Sequence, residues 1–411
     1  MGITPWRTDK WWVSPFNYSE DIRKEFTFPH RIQIYDTTLR DGEETPGVFL
    51  REDAKIEIAR ALDEVGIDRI ETGMPGTSLK DKYFTKKVVK LGLNAKIFAL
   101  CHAIRKDIDA SIDCDVDNIT FIIPIGHPKR VYQYKFSEEE TINRSIELID
   151  YAKDHGLFVV VSPYDTTRVD FDFLKRYLEE VISATKPDGV CISDTVGCAL
   201  PQAIAYLVRK VKEIVKIPVE VHIHNDFGLA TACSLAAVGA GAEVIDGTVN
   251  GLGEGTGVAA IEEVIMGLKL LYGLDVHYKI DKLYELSVLV EKLTGVKNSP
   301  LKPIVGKYIF GREFASALKR ADAFKSLLQY PLAVRSIHPS LLGRKASVFI
   351  GRKSGIQSVR AKLSELGITA PEDQIKTILS RIKGKLRNGK ALISDEEFIS
   401  IVKEVSCSET T

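Results

Sequence analysis

The length and charge of the chain exclude several classes of protein. Its 411 residues, 45% of them hydrophobic, can bury a large core and favour two or three structural units over one. Lysine plus arginine and aspartate plus glutamate both number 56, so the formal net charge is zero. No basic excess is present to attract nucleic acid or an anionic membrane, and small neutral or compact anionic substrates fit this balance better.

The cysteines and the N-terminus give no sign of export. The six cysteines form no C-x-x-C pair, and most lie in apolar runs, as expected of buried residues in a reducing compartment. No stretch approaches the roughly 20 apolar residues of a membrane span. Charged and tryptophan residues interrupt the N-terminus where a signal peptide needs an apolar core. We therefore expect a cytoplasmic protein.

A strand-then-helix alternation repeats eight times between His30 and about Gly273. The strand candidates are Ile32–Asp36, Arg69–Gly73, Lys96–Cys101, Asn118–Pro124, Phe158–Pro163, Gly189–Asp194, Val219–His224 and Val244–Val249. Helical patterns between them include Arg51–Val65, Ser137–His155, Phe171–Ala184, Gln202–Val215 and Ala259–Tyr272. Eight such units are typical of a (β/α)8 TIM barrel. The alternative is an open doubly wound sheet. The G-x-G-x-x-G turn that often follows the first strand of such a sheet is absent after the first predicted strand here, which favours the barrel.

The flanking segments do not continue this alternation. Residues 1–29 are aromatic and charged without a period and are predicted to form an N-terminal extension to the barrel, which spans 30–275. Residues 276–411 are predicted to form a C-terminal linker and mostly helical extension. Its predicted helices are 279–298, Val359–Leu366, Glu372–Leu386 and Asp395–Val405.

A His-x-His pair on the seventh strand indicates a metal site. His222 and His224 share one face of the strand because side chains alternate with period two. Asp41, just after the first strand, would complete a set of two imidazoles and one carboxylate with open positions for water or substrate. Mg, Mn, Co, Zn and Fe(II) all fit that logic. The alternative is that both histidines are ordinary core residues, but the strand ends here are dense in carboxylates.

Arg40 and Glu71 stand beside this predicted site. Arg40 could form only a surface ion pair, worth roughly 0–1 kcal/mol. At a barrel mouth beside a metal, its guanidinium would instead neutralise charge that develops on an enolate or alkoxide oxygen, and we favour that role. Glu71 ends the second strand and is either catalytic or a structural partner of Arg40.

Several segments make the chain resemble a known family. They are 36–43 (DTTLRDGE), 70–75 (IETGMP), 193–197 (SDTVG), 222–230 (HIHNDFGLA) and 250–254 (NGLGE). Together they resemble the 2-isopropylmalate, homocitrate and citramalate synthases, metal-dependent TIM barrels whose group also holds hydroxymethylglutaryl-CoA lyase. The resemblance covers roughly residues 31–275 and extends weakly to Pro339–Gly355.

The resemblance implies a reaction and a set of roles. Asp41, His222 and His224 would bind the metal, and a 2-oxo acid would chelate it through its carboxylate and keto oxygens. Arg40 would polarise the keto oxygen and Thr195 would bind the substrate carboxylate. Acetyl-CoA would supply an enolate that attacks the keto carbon, and water would then hydrolyse the thioester. A homodimer is also implied, in which each C-terminal region covers the barrel of the partner.

Other positions depart from the family pattern. Tyr164 stands where the synthases place a catalytic Glu after strand five, and Arg312 stands where they place a catalytic His. Glu44 replaces a Gln of the family pattern, and His102 replaces an Arg. We assign Glu44, His102 and Thr248 to substrate binding. Val160 offers no cation where homocitrate synthases carry one, which argues mildly against 2-oxoglutarate as the substrate.

The departures suggest that the proton-transfer groups have been rebuilt. The candidates are Tyr164, Asp165, His102 and His338, and we assign Tyr164 and Arg312 to catalysis with Arg40 and Glu71. As a general base, Tyr164 needs its pKa of about 10 lowered by the metal or by Arg312. The alternative for Tyr164 is an aromatic that only packs against substrate.

Three functions compete on these observations. The leading one is acetyl-CoA-dependent condensation onto a 2-oxo acid, which gives a 2-hydroxy dicarboxylic or tricarboxylic acid. The second is a metal-dependent lyase or aldolase that runs the reverse cleavage; residues 253–257 (GEGTG) lack the catalytic Cys that the CoA lyases carry there. The third is a non-catalytic barrel, which retention of Arg40 and all three predicted ligands disfavours.

Overall fold

Eight parallel strands close into a barrel in the order of the chain. The computed structural model describes residues 4–313, 332, 335–386 and 391–407. The strands are β1 (Gln33–Asp36), β2 (Arg69–Glu71), β3 (Lys96–His102), β4 (Asn118–Pro124), β5 (Phe158–Tyr164), β6 (Gly189–Asp194), β7 (Val219–Ile223) and β8 (Val244–Gly247). β8 pairs back onto β1, with Gln33 opposite Val244. The (β/α)8 fold predicted from the sequence is confirmed.

One short helix precedes β1, and the other helices follow the strands and cover the outside of the barrel. They are α1 (Glu20–Arg23), α2 (Glu52–Val65), α3 (Leu79–Val89), α4 (Arg105–Ile112), α5 (Glu138–Asp154), α6 (Phe171–Thr185), α7 (Pro201–Ile214), α8 (Ala230–Gly239), α9 (Ile261–Met266) and α10 (Leu283–Thr294). Local sequence sets their ends: Ser137 and Glu140 form a capping box at the start of α5, and Gly66 ends α2 in the left-handed region.

The last barrel helix differs from its prediction. The sequence favours one helix over Ala259–Tyr272, whereas α9 is short and continues as a π-helical segment, Gly267–Leu271. At the junction, a Cβ on Gly267 would lie 2.7 Å from Leu235 Cδ1. Close packing against Leu235 of α8 therefore explains the glycine at this position, and the hydrophobic period alone does not predict the change of helix type.

The interior of the barrel combines an apolar cluster with a buried ion pair between Arg69 and Glu220, and its mouth is polar. Tyr35, Phe98, Val160, Cys191 and Val244 pack together as a buried cluster inside the barrel. Because side chains alternate along a strand, the residues two and four positions after each member of this cluster also point into the barrel. They lie nearer the carboxyl ends of the strands. This alternation places the polar ends of β3, β5, β6 and β7 around one opening.

The structure divides into two compact units, one formed by Ser14–Asn298 and the other by Met1–Val13 with Ser299–Thr411. In the second unit, the helices Ile356–Glu365, Glu372–Leu386 and Asp395–Cys407 pack around a core of their own. Two short two-stranded sheets join Gly311–Arg312 to Ser347–Val348 and Ile350–Gly351 to Leu392–Ile393. The predicted mostly helical C-terminal extension is confirmed. Within the described residues, no helix is long and apolar enough to cross a membrane.

Candidate metal centre and active site

A cavity of about 420 Å³ opens at the carboxyl ends of the barrel strands. Nine of the residues predicted from sequence line it: Arg40, Asp41, Glu44, Glu71, His102, Tyr164, Thr195, His222 and His224. Their common location follows from the fold, because the carboxyl ends of all eight strands face the same side. The cavity is therefore the candidate active site.

The three predicted metal ligands converge on one point. Asp41 Oδ2 lies 3.2 Å from His222 Nε2 and 3.9 Å from His224 Nε2, and the two Nε2 atoms are 3.2 Å apart. Asp41 Oδ2 is buried and accepts no hydrogen bond within the described part of the chain. A buried carboxylate oxygen that faces two imidazole nitrogens is a ligand set that suits a divalent cation. These residues fit the predicted metal.

The electrostatics of the triad prepare it for a cation. Burial alone would raise the pKa of Asp41, but Arg40 and His222 hold that pKa well below its usual range. Burial likewise favours neutral histidines, yet Asp246 and Asp41 raise the pKa of His222 to about 9. Burial, with the neighbouring His222, lowers the pKa of His224 to about 4. Protons and a metal ion therefore compete for these three side chains.

Backbone and side-chain contacts fix Asp41. Its Oδ1 accepts a hydrogen bond from the Glu254 backbone N at 3.0 Å, which leaves Oδ2 for the site. From α2, the buried Lys55 places its Nζ 3.2 Å from Leu39 O and 2.5 Å from Glu43 Oε2. The segment that carries Asp41 is therefore held on both sides by one lysine.

Arg40 lies between three carboxylates. Its Nε is 2.5 Å from Glu71 Oε2, and its Nη1 is 3.5 Å from Asp41 Oδ2 and 3.4 Å from Glu44 Oε1. Tyr35 donates a hydrogen bond to the other oxygen of Glu71 at 3.0 Å. Glu71 thus holds the guanidinium in place, as expected if Glu71 is a structural partner of Arg40. Arg40 itself is a nearly buried cation and not part of a surface ion pair.

His102 is oriented by a buried carboxylate that no sequence motif indicates. Its Nδ1 lies 2.8 Å from Asp107 Oδ2, and the same oxygen accepts the His102 backbone N–H at 3.1 Å. Since a carboxylate accepts only, Nδ1 carries the proton and Nε2 is left as an acceptor. The arrangement suits a proton acceptor.

The surroundings of Tyr164 do not favour a general base. Burial raises the pKa of Tyr164 above its usual value, and the charges of Glu254 and Asp165 raise it further. This direction is opposite to the one a base needs, so the phenol stays neutral. Lys129, a cavity residue that the sequence motifs do not reveal, donates a hydrogen bond from Nζ to Tyr164 Oη.

Some predicted residues do not belong to this cavity. Thr248 is fully buried and its hydroxyl donates to Leu252 O at 2.6 Å, so it does not line the cavity, and we withdraw its assignment to substrate binding. Asp165 is buried in an ion pair with Arg168. His338 lies in the second unit, where it accepts from Ser340 N. Arg312 also lies there, and its side chain is outside the described residues.

One supporting residue could have been found by strand register. Asp246 pairs in register with His222, and its Oδ2 lies 3.5 Å from His222 Nδ1. A carboxylate behind a ligand histidine is the usual way to fix the ring and its tautomer. Alternation along the predicted eighth strand already places Asp246 on the inner face.

Fold and site together define a class: a TIM barrel with a two-histidine, one-carboxylate site suited to a divalent metal at its mouth. The HMGL-like family matches residues 31–290, and a homocitrate synthase post-HMGL domain-like family matches residues 323–390. The chain belongs to the HMGL-like family.

Named relatives match nearly the whole chain. The chain is 42% identical to homocitrate synthase AksA of Methanothermobacter thermautotrophicus, over 96% of this chain and 98% of that protein. It is also 42% identical to 2-isopropylmalate synthase of Methanocaldococcus jannaschii, over 94% of this chain and 74% of that protein. Among solved structures, the HMG-CoA lyase of Bacillus subtilis superposes with a TM-score of 0.60 at 18% identity, over 68% of this chain and 98% of the lyase. The last match supports the barrel fold alone.

Proposed function

We propose that the protein is an acyltransferase that joins the acetyl group of acetyl-CoA to the keto carbon of a 2-oxo acid. The product is a 2-hydroxy dicarboxylic or tricarboxylic acid, as for an isopropylmalate, citramalate, citrate or homocitrate synthase. The convergence of Asp41, His222 and His224 beside Arg40 carries this proposal. The relatives support it, since both named above are synthases of this kind.

The oxo acid occupies the side of the cavity formed by β1 and β7. A divalent ion (Mg, Mn, Co or Zn) held by the triad would supply Lewis-acid polarisation of the keto group. Arg40, held by Glu71, presents positive charge where the keto oxygen becomes an alkoxide. Thr195 accepts the Asp165 backbone N–H at 3.0 Å, which leaves its own O–H to donate to the substrate carboxylate.

The acetyl methyl group must lose a proton before it can attack. We assign this proton to His102 Nε2, because Asp107 fixes the tautomer in which Nε2 accepts and stabilises the imidazolium that forms. The carbon–carbon bond then forms, and hydrolysis of the thioester releases coenzyme A. General base catalysis of this kind typically contributes about 10²–10⁴-fold.

Two further points remain part of this proposal. The family resemblance favours a homodimer, which light scattering of the purified protein would test. The identity of the oxo acid is open, because two relatives of equal identity carry names of different activities.

A thiol-release assay tests the function. Metal-loaded protein is incubated with acetyl-CoA and each of a panel of 2-oxo acids, including pyruvate, oxaloacetate, 2-oxoisovalerate and 2-oxoglutarate. We expect release of free coenzyme A that depends on one oxo acid. His222→Ala should abolish release, whereas His155→Ala, at an exposed histidine on the outside of the barrel, should not. No release with any oxo acid, together with cleavage of a 2-hydroxy acid or its CoA ester, would identify a lyase instead.

A further inference from the structure

Lys129 and Tyr164 form a polar pair in the cavity that has no assigned role. Lys129 lies on a π-helical turn, Pro128–Tyr134, that follows β4, and Tyr164 ends β5. Pro124 is in register with Tyr164, so the turn begins beside the phenol. Lys129 Nζ lies 3.7 Å from the centroid of the Tyr164 ring and donates a hydrogen bond to its hydroxyl oxygen. Both side chains line the cavity.

The lysine has no other partner among the described residues. No described carboxylate lies within ion-pair distance of its Nζ, and the phenol oxygen is its one hydrogen-bond partner there. A half-buried ammonium without a counter-charge costs free energy, and such a group in a cavity indicates a functional role. Partial burial lowers the pKa of Lys129, and the charges of Glu254, Asp165 and Glu44, which lie further away, oppose that decrease.

The tyrosine is left with an unused donor. Because Lys129 donates to the phenol oxygen, the Tyr164 O–H must point elsewhere, and no described residue accepts it. The phenol is neutral, as burial and the nearby acids raise its pKa. An ammonium bound to the oxygen of a phenol makes its O–H a stronger donor. The cavity wall thus offers one polarised O–H and, among the described residues, no protein acceptor for it.

The position of this donor indicates which reactant it meets. In an eight-stranded barrel β5 lies opposite β1, so Tyr164 lies across the cavity from Arg40 and Asp41. The nucleophile has to approach a ketone anchored on the β1 side from the opposite wall. His102 and Tyr164 end β3 and β5, which are two strand spacings apart, or about 10 Å. A small acyl group fits between them.

We propose that Tyr164, polarised by Lys129, donates its O–H to the thioester oxygen of the acyl donor and stabilises the enolate that forms there. The proposal rests on the condensation proposed above. The methyl C–H bond breaks, its proton passes to His102, and the electron pair moves through the new C=C bond onto the thioester oxygen. When the carbon–carbon bond forms, the thioester C=O bond is restored and the C=C electron pair bonds to the keto carbon. The keto C=O pair moves onto the keto oxygen beside Arg40, and this oxygen takes up the proton from His102. The phenolic proton stays on Tyr164 throughout.

A carboxylate cannot donate a hydrogen bond to an enolate oxygen unless it is protonated. A neutral phenol with an ammonium behind it donates at neutral pH. Lys129 does not touch the acyl group and acts through Tyr164, so it is a positioning residue and Tyr164 is a catalytic one.

Two substitutions test the pair in steady-state kinetics with acetyl-CoA and the preferred oxo acid. Tyr164→Phe should lower kcat by about 10²–10³-fold, as for the loss of one oxyanion donor, and leave KM for the oxo acid within threefold. Lys129→Met should lower kcat by about tenfold. If Lys129 acts through Tyr164, the double variant will match Tyr164→Phe within threefold. Tyr132→Phe and Lys135→Met, on and just after the same turn, are the matched controls and should behave as wild type.

Binding of S-carboxymethyl-coenzyme A gives a readout that needs no turnover. Its carboxylate imitates the charge of the enolate, so the wild type should bind it more tightly than acetyl-CoA in calorimetry. Tyr164→Phe should lower that affinity at least tenfold, while unchanged acetyl-CoA affinity would show that the variant is folded. Lys129→Met should lower it by a smaller factor.

The outcomes separate this inference from the proposed function. Thiol release by the wild type that Tyr164→Phe does not slow would overturn the inference and leave the condensation standing. A rise of tenfold or more in KM for the oxo acid at unchanged kcat in Lys129→Met would make the lysine a carboxylate anchor and also overturn it. A wild type that releases no thiol with any oxo acid refutes the proposed function, and the calorimetric comparison then tests the pair by itself.

Discussion

Lys55 is predicted to stabilise the barrel through the segment that carries the metal ligand Asp41. Its side chain is 1% exposed, with Nζ 3.2 Å from Leu39 O and 2.5 Å from Glu43 Oε2. Lys55→Met keeps most of the aliphatic stem and removes the charge. We expect the variant to unfold more easily and to bind metal more weakly, because the two residues flanking Arg40 and Asp41 lose their common partner.

This substitution removes a hydrogen bond to Leu39 O, a close ion pair with Glu43 and a longer ion pair, of 3.8 Å, with Asp81. At about 1.5–3 kcal/mol for each of the two close contacts, the upper limit is about 6 kcal/mol. Glu43 is not left without a partner, because Lys80 Nζ remains 3.5 Å from its Oε1 and the Leu50 N–H 3.1 Å from the same oxygen. The effect therefore falls below the full cost of breaking a buried pair, and we expect a decrease of about 3 kcal/mol in the free energy of unfolding.

Lys80→Met is the matched control, since Lys80 contacts the same Glu43 but is 46% exposed. An exposed pair contributes about 0–1 kcal/mol, so this variant should lose less than 1 kcal/mol. Urea unfolding followed by far-ultraviolet circular dichroism measures both variants, and calorimetric titration with Mn²⁺ measures their metal affinity. Decreases in unfolding free energy that agree within 1 kcal/mol between the two variants would refute the reasoning.

Three further substitutions test other parts of the site. Asp246→Asn removes the carboxylate behind His222 and should weaken Mn²⁺ binding about tenfold in calorimetry. This is the lower end of the range for carboxylates that support a ligand histidine, because the contact is 3.5 Å long. An unchanged Mn²⁺ affinity would contradict the role of Asp246. Asp107→Asn should lower kcat about tenfold or more by releasing the His102 tautomer, with acetyl-CoA affinity kept; an unchanged kcat would remove His102 as the base. Burial raises the pKa of Asp36 to about 7, so the folded protein binds a proton at this carboxyl more tightly than the unfolded chain does. The free energy of unfolding therefore has its full value below about pH 4 and falls as the pH rises to about 7. Asp36→Asn should remove that fall, up to about 4 kcal/mol, in unfolding curves between pH 4 and 8, and equal pH slopes in both proteins would argue against it.

The barrel and the metal site could be predicted because both depend on local periodicity. Asn118–Pro124 and Gly189–Asp194 have the bounds that their apolar runs predict, since strands buried on both faces read as continuous hydrophobic segments. The period of two likewise places His222 and His224 side by side. The convergence of Asp41 on them follows once the barrel is recognised, because strand ends share one face.

The proton-transfer groups could not be predicted in this way. Lys129 reaches the cavity from a π-helical turn whose geometry no hydrophobic period encodes, and the direction of the Tyr164 pKa depends on burial and on charges from other strands. The place of Thr248 at a strand end predicts a role in substrate binding, but its hydroxyl is taken by a backbone carbonyl four residues on. Strand position predicts which residues gather at the mouth, whereas the partner of each side chain decides what it does there.

The fate of the acetyl methyl carbon tests the central claim most directly. Metal-loaded protein is given acetyl-CoA labelled with ¹³C in the methyl group, together with the oxo acid that releases thiol, and the product is examined by ¹³C NMR. A condensation at the site formed by Asp41, His222 and His224 predicts that the label appears in a methylene bonded to a new carbinol carbon. Label found only in acetate would mean simple thioester hydrolysis and would contradict the account.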